Sequence, residues 1–62
     1  MNGKIIIDYF LQTLESGQKL DSALAQTDMW LERFTDEFSP EDLAEALDII
    51  NRIASLIRAA RG

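Results

Sequence analysis

Apolar residues recur along this chain at three- and four-residue steps in three blocks separated by cap and turn residues. The pattern predicts a small all-α, three-helix domain with helices at about 3–16, 19–37 and 40–61. Asn2 can cap the first helix, and Gly17, which lacks a Cβ, suits the left-handed position that stops it. On a helical wheel Ile5, Ile6, Ile7, Tyr9, Phe10, Leu11 and Leu14 cover well over half of the circumference, leaving Asp8, Gln12 and Glu15 for water. One neighbouring helix does not cover such an arc.

The second helix is ordinary amphipathic material. Leu20, Ala23, Leu24, Thr27, Trp30, Leu31, Phe34 and Phe38 fall on one face or just past its end, whereas Ala25 and Met29 project among Ser22, Glu32, Arg33 and Asp36. Met29 is therefore expected to be an exposed apolar side chain. The third helix carries the strongest boundary: Ser39 is placed as N-cap, Pro40 at the first helical position, Glu41 and Asp42 next, and Phe38 positioned to staple onto Leu43. Arg58, Arg61 and Gly62 close it.

Two apolar seams run along this third helix, Leu43, Leu47, Ile50, Ala54 and Ile57 beside Ala46, Ile49, Ile53, Leu56 and Ala60. Two seams predict a helix packed between two others. Three arrangements fit: helices 1 and 2 fill one seam each, a second copy pairs across a two-fold axis, or a partner protein's helix takes the second seam.

Length sharpens the question. A chain of 62 residues makes one domain, 1–62, and buries only about 60% of the surface its unfolded form exposes. With no Cys and no His, neither a disulfide nor the common zinc ligand sets can reinforce it, so completion of the core by a homodimer or a partner helix is the expectation. The absence of cysteine fits a reducing cytoplasm, and Ile5-Ile6-Ile7 is broken at once by Asp8, leaving no signal-peptide core and no membrane span.

Charge is unevenly placed within a net of −5. Asp28, Glu32, Asp36, Glu37, Glu41, Asp42, Glu45 and Asp48 form an acidic band opposed only by Arg33, while Arg52, Arg58 and Arg61 come after it with no acid among them. Such a band repels nucleic-acid phosphates and favours a basic partner. A helix-turn-helix over Leu14 to Phe34 has the right segments, yet Asp21, Asp28 and Glu32 outweigh Lys19 and Arg33 on the surface that would face DNA. No nucleic acid is expected as a partner.

Catalytic chemistry has little to work with. His and Cys, the residues that most often serve as base or activated thiol, are missing, so an enzyme is not expected. The carboxylate pairs Asp28 with Glu32 and Glu41 with Glu45 read as solvated helix faces, and Thr35 to Asp48 lacks the glycine and alternating ligands of a calcium loop. No metal and no cofactor are predicted.

Leu14-Glu15-Ser16-Gly17 followed by Leu20, Ala23 and Leu24 is similar to a stretch of the small subunit of exonuclease VII, a two-helix acidic protein. The spacing after the glycine is shorter here, and a third, Pro-initiated helix comes next, so no function is carried over. The expectation from the residues is a non-catalytic protein-interaction domain, a small acidic regulator, inhibitor or adaptor of the bacterial or phage type. Tyr9, Met29, Ile49, Ile53 and Leu56 are the expected apolar contacts, and Asp28, Glu32, Asp36 and Glu37 the expected charged ones. A self-assembling structural subunit is the rival reading.

Overall fold

A computed structural model describes residues 2–61. It contains α1 (Lys4–Glu15), α2 (Leu20–Phe34), a 3₁₀ turn (Thr35–Glu37) and α3 (Pro40–Arg61). The third helix has the predicted bounds, and its start is built as expected: the Asp42 N–H donates to Ser39 Oγ at 3.1 Å, Phe38 is buried, and Leu43 packs against the same core. Gly62, expected to close it, lies outside the described residues.

The other boundaries move for local reasons. Asn2 acts one position before the cap itself: its Oδ1 accepts the Lys4 N–H at 3.1 Å, and Gly3 occupies the N-cap. Gly17 has φ +94°, the left-handed stop the sequence predicts. In α2 the α-helix ends three residues early, at Phe34, and tightens into the 3₁₀ turn. There Thr35 Oγ1 donates to the Leu31 carbonyl at 2.6 Å, a side-chain bond that competes with regular helical pairing.

The three helices run up, down and up. Gly3, at the start of α1, lies against the Asp42 carbonyl and Ala46 near the start of α3, and Arg58 near the end of α3 pairs with Asp21 at the start of α2. One core joins all three: Ile6 and Phe10 from α1, Leu20, Ala23 and Leu31 from α2, and Ala46, Ile50 and Ala54 from α3, with Phe38 from the connection. The buried hydroxyl in it, on Thr27, is satisfied by donating to the Ala23 carbonyl at 2.8 Å.

The sequence pattern puts α3 in the middle, and the structure corrects this. The helix whose backbone closely approaches both others is α1; α2 and α3 have no comparable approach to each other. The helix with the widest apolar arc takes the central place, because there alone can most of the arc be covered. On α3 the buried line runs between the two predicted seams, through Leu43, Ala46, Ile50, Ile53, Ala54 and Ile57. The outer members of each seam stay at its edges: Leu47 is 36% and Leu56 71% exposed.

Candidate functional site

The expected contact residues do not converge on one surface; the fold divides them between two. Tyr9 and Met29 meet on the α1/α2 face. Tyr9 stacks on Trp30 with ring centroids 4.8 Å apart and planes 15° from parallel, and Phe34, one turn further along α2, lies 5.1 Å from the same indole. Tyr9, Gln26, Met29, Trp30 and Arg33 line a shallow cleft of about 200 Å³. Met29 stands at its margin, 63% exposed, with Ile5 (38%) and Phe34 (37%) extending the apolar surface along the two helices.

Of the expected acids, Glu32 borders this face, whereas Asp28 is turned toward α3, where it lines a cleft with Leu24, Thr27, Leu47, Ile50 and Asn51. Both are exposed, and Asp36 and Glu37 are exposed in the 3₁₀ turn beyond them. Helical geometry sets Glu32 one turn from Met29 and Arg33 one turn from it on the cleft side. The result is a methionine and an aromatic cleft with the Glu32 carboxylate on one flank and the Arg33 guanidinium on the other.

Ile49, Ile53 and Leu56 belong to the α1/α3 face. Ile49 shares a shallow cleft with Gly3, Lys4, Ile7 and Ala46, whereas Ile53 leans into the core and has only part of its side chain at the surface. Leu56 stands out near the end of α3, beside Arg52 and Ala59. Leu11, 37% exposed and one turn beyond Ile7, continues the apolar edge on α1.

Three members of the aromatic cleft escape a reading of the sequence. Trp30 reads as core, Arg33 as the one cation opposing the acidic band, and Gln26 carries no expectation, because a wheel cannot say from which side a neighbour will cover the apolar arc. The one signal in the chain is that Trp30 and Arg33 are three residues apart, one helical turn, with Met29 next to the tryptophan. Among the described residues no group of three carboxylates converges to hold a metal ion, and no helix is long and apolar enough to cross a membrane.

Comparison of the chain with protein-family models, with curated proteins and with solved structures gives no match. The surfaces themselves are therefore the basis for a functional reading.

Proposed function

We propose that this chain is a non-catalytic protein-binding domain, a small acidic regulator or adaptor that docks a basic, amphipathic helical segment of a larger protein on its α1/α2 face. One observation carries the reading: Met29, 63% exposed, stands beside the stacked Tyr9–Trp30 pair, on the same helix that displays Asp28 and Glu32. Tyr, Trp, Met and Arg are enriched at protein interfaces, and an exposed methionine adapts to varied apolar partners. The acids steer a cationic segment and fix its orientation, while the cleft supplies the affinity. Absence of His and Cys from the sequence supports a binding rather than a catalytic role.

Trp30 is the single tryptophan of the chain and lies inside the proposed site, so its fluorescence reports on occupancy directly. A synthetic Lys/Leu amphipathic helical peptide should shift the emission saturably, with affinity falling at least about tenfold when salt shortens the screening length from ~30 Å to ~3 Å. Met29→Glu should abolish the shift without loss of helicity. An equal response to a Glu/Leu peptide of the same pattern, or no effect of Met29→Glu, would overturn the reading.

A further inference from the structure

We infer that the aromatic cleft takes one aromatic side chain of the docked segment together with a carboxylate one helical turn from it, received by Arg33, which deepens the α1/α2 docking reading and rests on it. At about 200 Å³ the cleft is smaller than the ~300–1,000 Å³ of sites that enclose a small molecule, and it suits a single large side chain. Its lining selects an aromatic one. The Met29 thioether makes favourable contacts with ring edges, and the Arg33 guanidinium with ring faces.

Charge supplies the second requirement. Acids outnumber cations 11 to 6 in this chain, yet among the described residues the lining of the cleft holds a guanidinium and no carboxylate. The other polar groups there, the Gln26 amide and the Tyr9 hydroxyl, can both donate hydrogen bonds. Among the described residues Arg52 pairs with Asp48 and Arg58 with Asp21, but Arg33 has no ion-pair partner. A continued α-helix would bring Glu37, four residues on, alongside it. The 3₁₀ turn at Thr35–Glu37 winds more tightly and carries Glu37 off that line. The fold thus leaves a guanidinium fork at the edge of an apolar cleft, the geometry that receives a carboxylate in paired hydrogen bonds. Glu32 on the opposite flank receives the segment's basic residues, so the two flanks together fix which way round it lies.

The test titrates Trp30 fluorescence of the full chain with a Lys/Leu helical peptide that carries one Phe on its apolar face. Two further versions have Glu in place of Gln four residues before or four residues after the Phe. Each Glu lowers the peptide's positive charge, so long-range attraction to a chain of net −5 weakens. A local contact with Arg33 has the opposite sign. One of the two Glu peptides should bind at least about threefold tighter than the Gln parent, and which one it is reads the direction of the docked helix. Leu in place of the Phe should weaken binding by about as much. Arg33→Gln should erase the preference for Glu, and Arg33→Glu should transfer it to a Lys at the same peptide position, both with helicity intact. Glu peptides that bind no tighter than the parent, a preference that survives Arg33→Gln, or a Leu that serves as well as the Phe would each overturn this inference while leaving the docking reading in place. No saturable shift with any peptide would overturn both. Equal affinity for free phenylpropionate would give the cleft to a small aromatic acid in place of a segment.

Discussion

Two glycines show how the same residue does different work at different places. Gly17 has φ +94° and nothing within 4 Å of where a Cβ would stand, so its role is conformational. Gly3 has an ordinary φ of −66°, but a Cβ there would sit 2.8 Å from the Asp42 carbonyl oxygen and 3.3 Å from Ala46 Cβ. Its role is close approach of α1 to α3. Gly17→Ala should therefore cost about 1 kcal/mol, the strain of a left-handed alanine. Gly3→Ala has to push a backbone carbonyl aside and should cost about 1–3 kcal/mol, as overpacking does. Urea midpoints rank the two, and equal losses would show that the α1–α3 contact yields without strain. The left-handed stop is visible in the sequence, since a lone glycine after an apolar block has few other uses. The close approach is not, because it depends on which helix lies alongside.

At the scale of elements, the start of α3 is the best-specified feature of the molecule. Ser39 caps, Pro40 pre-sets the first helical φ, Glu41 and Asp42 meet the positive end of the dipole, and Phe38 with Leu43 ties the entry to the core. Ser39→Ala should lower stability by about 1 kcal/mol, while Ser39→Asp should keep it within a few tenths. An unchanged stability in Ser39→Ala would mean that the Asp42 N–H to Ser39 Oγ bond contributes nothing. The end of α2 is less legible. Thr35, Asp36 and Glu37 fit a helix on paper, but the Thr35 hydroxyl turns back to the Leu31 carbonyl and the chain tightens into a 3₁₀ turn. The next residue makes that choice, since Phe38 must reach the core and its extended backbone breaks the helical path.

For the whole molecule, attraction between surface charges contributes little and repulsion more. The ion pairs of Asp48 with Arg52 at 3.1 Å and of Asp21 with Arg58 at 3.5 Å have side chains more than half exposed and are worth at most about 1 kcal/mol each in water. Against them stand a net charge of −5 and the crowded acids between Asp28 and Asp48. Raising salt should thus stabilise the domain, lifting Tm by about 2–5 °C as the repulsion is screened. A falling Tm in the same calorimetric series would show that the ion pairs outweigh the band.

Interactions between near neighbours along the chain were enough to dictate the three helices, the cap at Ser39, the stop at Gly17, the water-facing Asp8, Gln12 and Glu15, and the exposure of Met29. Periodicity and caps act within a few residues, so the amino-acid order reveals them without knowledge of the fold. Packing in three dimensions was needed to make α1, not α3, the helix flanked on both sides. It also separated the five apolar candidates into an aromatic face on α1/α2 and an aliphatic face on α1/α3. The same packing brought Tyr9 onto Trp30, residues far apart in the chain, and so made a cleft where the sequence offers only two amphipathic faces. The physical reason is that a wheel gives the width of each apolar arc but not the direction from which a neighbour covers it. That direction is set by the best mutual packing of all three helices at once.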